Sequence, residues 1–206
     1  VSSFQLESTT TFRPWISVWL NFADDHLDRH ASVDEYASAK ARIFASQRAG
    51  DWAVVNAHDP VVMARSEGIA PARVLFAPSG PLDEGYAVDG AFIVRKTRQS
   101  TTALIPVSAV ELTGAHMLGN VVAAAAVADT AGVTPQAMTR ALAGFRGLEH
   151  VMEPAGIVRG IRFVNDSKAT NVEAARRSIE SFERGVVVLI GGRSKGGNLR
   201  ELRESL

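Results

Sequence analysis

Short apolar runs rich in β-branched and aromatic residues alternate along the chain with stretches of helical period, the pattern of layered α/β domains. Residues 15–22 read as a strand feeding a polar loop at 23–31. Ser32 then caps a helix, with Glu35 in the capping-box position. Residues 53–56 are a short strand, 58–66 a helix and 74–76 another strand. Residues 86–94, broken by Asp89-Gly90, read as a hairpin, and 103–107 extend that antiparallel patch. Two helices follow, at 115–130 and 135–144.

Gly144-Phe145-Arg146-Gly147-Leu148 reads as a hinge, with two close glycines after a helix and before a new β-rich start. Beyond it come a strand at 161–165, a helix at 172–182, a strand at 186–190 and a helix from 199 onward. That βαβα order is the opening of a doubly wound domain that the chain does not complete. There is no internal repeat and no low-complexity segment.

Composition narrows the function classes. Formal net charge is +0, so no global basic field attracts nucleic acid or an anionic membrane, although a local cationic pocket remains open. Cysteine is absent, which excludes disulfides and thiolate metal sites. The longest apolar run, residues 121–128, is far short of the roughly 20 residues that span a bilayer. No signal peptide is visible, and the expected location is the cytoplasm. The chain opens on Val1 rather than Met and stops at Leu206 within a helical stretch, which reads as processing or truncation.

Several segments carry chemistry. The loop Asp24-Asp25-His26-Leu27-Asp28-Arg29-His30 gathers carboxylates, imidazoles and a guanidinium just past a strand, where open α/β sheets collect ligands. It suits a hard cation such as Mg²⁺, although composition alone favours a solvated polar loop. Lys40 falls in the apolar stripe of Val33, Tyr36, Ala37, Ile43 and Phe44. It reads either as a snorkelling lysine or as a buried amine open to modification by CO₂. Asn120 shares a helical face with His116, Ala123, Ala124 and Val127, so its amide is expected to be buried with a partner. A structural hydrogen bond or recognition of a base edge would each supply one.

Asn165-Asp166-Ser167-Lys168-Ala169-Thr170-Asn171 is polar except for Ala169 and lies between a strand and a helix. Thr170 reads as the N-cap of that helix, whose first amides suit an anion. Asp166 suits a ribose hydroxyl and Lys168 a phosphate or carboxylate. Gly191-Gly192-Arg193-Ser194-Lys195-Gly196-Gly197 is a second glycine-rich turn, with Lys195 as its anion contact, and matches no named phosphate loop.

Four blocks in this order resemble the Mur ligases, in particular the branch that adds D-glutamate: Ser2-Ser3-Phe4-Gln5-Leu6-Glu7; Asp25-His26-Leu27-Asp28-Arg29 with Lys40 downstream; Gly114-Ala115-His116 leading to Asn120; and Asn165 to Asn171. The resemblance covers essentially the whole chain. It implies an α/β protein holding most of a central ATPase domain (1–147: mostly parallel sheet, helices and a small antiparallel patch) and the start of a Rossmann-like C-terminal domain (148–206). It further implies ATP-driven activation of the UDP-N-acetylmuramoyl-L-alanine carboxylate to an acyl phosphate, then attack by the amine of D-glutamate. ATP and Mg²⁺ are the implied cofactors, and a monomer without nucleic-acid or membrane partners is expected.

Carried onto matching positions, His26 and a carbamylated Lys40 organise the metal and serve catalysis, and Ser2 lies by the UDP-substrate. Asn120 meets adenine and Asp166 the ribose, while Lys168, Thr170 and Lys195 face phosphate or D-glutamate carboxylate. The chain departs from the family in four ways. Val151 stands where an arginine is usual, and Met117 where an asparagine is common. The metal-binding glutamate before the Ser-Ser turn and the G-x-x-x-x-G-K-[ST] loop are not in this sequence. The 206-residue piece is therefore expected not to catalyse alone. Two other readings are a related ligase such as a folylpolyglutamate synthase, and a non-catalytic nucleotide- or metal-binding module.

Overall fold

The computed structural model describes residues 1–23, 29–183, 185–192 and 198–206. The first element is a short helix, α1 (Ser3–Glu7), closed by a capping box in which Ser2 and Gln5 satisfy each other's backbone N–H groups. The Ser-x-x-Gln spacing is its sequence signature.

Six strands build the main sheet in chain order: β1 (Ile16–Trp19), β2 (Trp52–Asn56), β3 (Ala72–Phe76), β4 (Gly85–Asp89), β5 (Phe92–Lys96) and β6 (Thr101–Pro106). The first four run parallel, although β3 meets β4 at only one residue pair, Phe76 with Tyr86. The last three form an antiparallel meander, turned at Gly90 as Asp89-Gly90 predicts. Parallel crossovers need intervening segments. Helix α2 (Val33–Ala41) with a 3₁₀ turn (Arg42–Phe44) joins β1 to β2, and α3 (Pro60–Arg65) joins β2 to β3.

Alternation along β2 shows how the layers form. Val54 faces one way, into a core with Phe76, Ile93, Ile105 and the Val121, Val122, Ala125 and Ala126 face of α4 (Ala115–Thr130). Met138 of α5 (Pro135–Leu142) completes that core. Ala53 and Val55 face the other way, against Trp19, Phe44 and Val62. A strand covered on both faces reads as a continuous apolar run, and Ala53-Val54-Val55 is one.

Past Gly147, β7 (Glu153–Val158) and β8 (Ile161–Asn165) pair as an antiparallel hairpin through Arg159 and Gly160, both at positive φ. Helix α6 (Val172–Ile179) follows, and its Ile179 is buried, as is Leu202 of the closing 3₁₀ turn (Leu199–Glu204). Strand β7 escapes the sequence reading because Pro154 and Gly156 interrupt its pattern, and the register shifts between them.

Two expectations are corrected. Residues 186–190 form no strand: no ladder reaches them among the described residues, and Val187 and Leu189 are 89% and 91% exposed. A strand exists only through a neighbour, so an apolar run alone does not make one. The stretch from Leu199 is a 3₁₀ turn rather than an α-helix. No helix among the described residues is long and apolar enough to cross a membrane.

Candidate functional site

The turn after β8 is built by local polar bonds. The Asn165 side-chain oxygen accepts from the Ser167 N–H at 3.1 Å, an Asx turn that replaces glycine or proline. Thr170 is not the helix cap as expected; Asn171 is, accepting from the Ala174 N–H at 2.8 Å. Adjacent Thr and Asn are comparable caps, and the extended backbone at Asn171 (φ −135°, ψ 167°) selects it.

Residues 150–153 brace this turn. Lys168 N–H donates to the His150 carbonyl, Asn165 Nδ2 lies 2.9 Å from His150 Nδ1, and Asp166 Oδ1 accepts from the Met152 N–H at 3.0 Å. Ser178 donates to the other Asp166 oxygen, fixing the carboxylate against α6. His150 and Met152 hold φ of 66° and 46°, a left-handed conformation that non-glycine residues adopt at a cost of about 1 kcal/mol or more each.

Opposite the turn stands the start of α4. Gly119 allows the helix backbone to close on Pro78, where a Cβ would meet the proline Cβ at 2.7 Å. Between them lies a cavity of about 330 Å³, lined from one side by Asn56, Pro78, His116 and Asn120 and from the other by Val151, Asp166, Lys168 and Arg177. Its size suits a small-molecule site. Burial holds the His116 imidazole below the ordinary histidine range; Asp166 opposes this shift and Arg177 adds to it. Burial pushes the Glu173 carboxyl up, but hydrogen bonds from Arg177 and Arg176 outweigh it and leave the group below its usual range. The cavity thus presents the Asp166 and Glu173 carboxylates, amides such as Asn56 and Asn120, an imidazole and two cations, a donor set able to hold a sugar hydroxyl, a base edge and an anion.

Of the residues singled out by sequence, Asn120, Asp166 and Lys168 meet in this cavity. Asn120 is exposed, not buried; its amide lies 3.9 Å from the Met117 sulfur, and Ala124 on the same face is also exposed. The buried stripe of α4 runs through Gly119, Val122 and Ala126 instead. Thr170 is exposed and does not line the cavity. Arg177 and Glu173 do line it, and escaped notice because Glu173-Arg177 reads as a surface i,i+4 pair.

Ser2 and Lys40 lie elsewhere, on the packed pair α1 and α2. Lys40 is half-buried, its ammonium 4.9 Å from the Tyr36 ring centroid, while Val33 is exposed. The apolar stripe expected around Lys40 is therefore narrower: Tyr36, Ala37 and Ala39 are its buried members on α2. Ser32 caps α2, but Glu35 reaches the Ala31 N–H rather than that of Ser32. His26 and Lys195, together with residues 24, 25, 27 and 28, lie outside the described residues. The approach to the His26 loop is nonetheless held: Asn56 donates to the Leu20 carbonyl and Asp59 accepts from the Phe22 N–H.

Comparison with known proteins matches this architecture. Residues 1–128 match the family described as Mur ligase middle domain. Similar sequences include UDP-N-acetylmuramoylalanine–D-glutamate ligases from Pelotomaculum thermopropionicum (40% identity, 98% of this chain, 44% of the relative) and Acidobacterium capsulatum (42% identity, 98% and 44%). The chain spans less than half the length of these relatives. Among solved structures, a MurF ligase from Thermotoga maritima in complex with ADP superposes with a TM-score of 0.59 at 19% identity, covering 82% of this chain and 39% of that one. A sheet with the expected layers, a cavity where the expected residues converge and a family match over more than half its length identify the chain as a member of the Mur ligase family.

Proposed function

We propose that the chain is the central and early C-terminal part, divided near residue 147, of an ATP-dependent ligase. That ligase adds D-glutamate to UDP-N-acetylmuramoyl-L-alanine in the cytoplasmic synthesis of peptidoglycan precursor, acting as a monomer. The observation that carries the proposal is the convergence of Asn120, Asp166 and Lys168 on one cavity between α4 and the β8–α6 turn. The names of the similar sequences supply the substrate class.

ATP fits the cavity's donors. Asn120 would face the base, and the Asp166 carboxylate keeps lone pairs for a ribose hydroxyl after accepting from Met152 and Ser178. Lys168 would meet phosphate, and Arg177 would supply there the guanidinium that Val151 does not. Phosphoryl transfer to the alanyl carboxylate and displacement of that phosphate by the D-glutamate amine form the amide. Ser2 would lie by the UDP-substrate, and Thr170 and Lys195 by D-glutamate or phosphate.

For Mg²⁺ the described donors do not suffice. Lys40 offers an amine, which is not a hard-cation ligand until CO₂ turns it into a carbamate, and His26 lies outside the described residues. The assignment of both to the metal rests on the resemblance, and no step is derived through the ion.

The deciding experiment assays the complete gene product for ATP-dependent ligation with D-glutamate, L-glutamate and a diamino acid. Turnover confined to D-glutamate is expected; turnover with L-glutamate would instead mark a folylpolyglutamate-type ligase. The 206-residue piece alone is expected to release no phosphate. Incorporation of ¹³CO₂ at Lys40, read by NMR or mass, tests the carbamate.

A further inference from the structure

Away from the nucleotide cavity, His30 is a buried imidazole that nothing above employs. Its side chain is 1% exposed, and it packs between the rings of Phe4 (5.6 Å between centroids) and Tyr36 (5.1 Å). Nε2 lies 3.1 Å from Ser3 Oγ, a hydroxyl able to accept from Nε2–H or to donate to a bare Nε2. The tautomer with Nε2 protonated leaves a lone pair on Nδ1. That atom is buried and without a hydrogen-bond partner among the described residues, although Glu7 Oε1 stands 3.3 Å away. A lone pair against a carboxylate is repulsive unless a positive charge lies between them.

Glu35 completes the group. One ligand atom each from Glu7, His30 and Glu35 lies within 4.8 Å of the other two. Each carboxylate has one oxygen engaged outside the cluster, Glu7 Oε2 by Arg29 and Glu35 Oε2 by the Ala31 N–H, so a second oxygen remains to turn inward. Donors at about 2.0–2.2 Å from one ion lie about 3–4 Å apart, within reach of carboxylate rotation. The outer bonds from Ser3, Arg29 and Ala31 are those that orient metal ligands elsewhere.

We propose that Glu7, His30 and Glu35 form a site for a borderline divalent cation such as Zn²⁺ or Co²⁺. One imidazole with two carboxylates favours these ions over Mg²⁺, which prefers all-oxygen shells. Two carboxylates against Arg29 leave the cluster net negative before the ion binds. The ion clasps α1, which follows Ser2, to the entry of α2, which carries Lys40. The site uses neither His26 nor Lys40 and does not depend on the proposed reaction.

The test uses the 206-residue chain carrying His26→Ala, which removes the imidazole of the neighbouring loop. After dialysis against EDTA the chain is titrated with Co²⁺, read by its d–d absorption and by metal analysis, and with Zn²⁺, read by thermal unfolding. One Co²⁺ per chain and a higher unfolding temperature with Zn²⁺ are expected. Glu35→Gln keeps an acceptor for the Ala31 N–H, so it should preserve the circular dichroism spectrum while weakening Co²⁺ binding at least about tenfold. His30→Gln should do the same or more. No Co²⁺ uptake by the parent chain, or equal uptake by the parent and Glu35→Gln, would overturn the site.

Discussion

Asp166 accepts a hydrogen bond from the backbone N–H of Met152, 3.0 Å away and 14 residues earlier, and so ties the turn after β8 to the segment that leads into β7. Met152 is 4% exposed, so this N–H has no water to fall back on. Asp166→Ala should therefore cost about 1–3 kcal/mol in urea unfolding, the penalty of an unsatisfied buried donor. Asp166→Asn keeps an acceptor for Met152 and should lose less stability. If the carboxylate also holds ribose, Asp166→Asn should still weaken binding of a non-hydrolysable ATP analogue to the complete ligase, about tenfold, by isothermal titration. Equal affinity would remove Asp166 from the nucleotide contacts.

Gly119→Ala should disturb both packing and site. Its Cβ would lie 2.7 Å from Pro78 Cβ and 3.1 Å from the Pro78 backbone, so α4 must shift off the loop after β3. Overpacking of this kind costs about 1–3 kcal/mol. Because Pro78, Gly119 and Asn120 all line the cavity, nucleotide affinity should fall together with the unfolding midpoint. A midpoint unchanged from the parent would show that the contact relaxes freely.

Stability should decline at alkaline pH through Tyr86. Burial raises its phenol to about 12, with the hydrogen bond to Asp129 contributing in the same direction. The unfolded phenol ionises near 10, so the stabilisation is complete below about pH 10 and is lost as pH rises from there toward 12. Tyr86→Phe should flatten the decline and cost about 1–2 kcal/mol at neutral pH by removing the 2.7 Å bond to Asp129, which keeps its Arg95 partner. Denaturant midpoints at pH 8, 10 and 11.5 read both effects.

At the acid end the relevant pair is Arg13 with Asp51. The Arg13 hydrogen bonds, at 2.7 and 3.0 Å, and the Arg48 N–H hold the Asp51 carboxyl below its ordinary range. A depressed carboxylate stabilises the fold above the unfolded value near 4 and ceases to do so as pH falls through its folded value. Asp51→Asn should therefore lower the midpoint at pH 7 and narrow the gap from the parent as pH falls below about 4. A constant gap across that range would exclude the linkage.

Much of this protein is legible from local sequence alone. Helix α4 begins and ends at the residues its pattern predicts, the hairpin turns at Asp89-Gly90, and residues 53–56 read as the strand they form within β2. These features depend on short-range periodicity and turn chemistry. The polar run at 165–171 makes its turn through Asn165 itself, which is why it needs no glycine or proline there.

Tertiary structure alone decided the rest. Alanines lie all around α4, so periodicity could not say that Gly119 would meet Pro78 and turn Asn120 outward to the cavity. Two adjacent caps, Thr170 and Asn171, were separated only by backbone geometry. The apolar run at 186–190 did not become a strand, and Lys40 came to rest half-exposed over Tyr36. In each case the outcome depends on what the rest of the chain places beside the residue: strand pairing, helix orientation and side-chain burial are properties of neighbours, and sequence spacing records only the candidates.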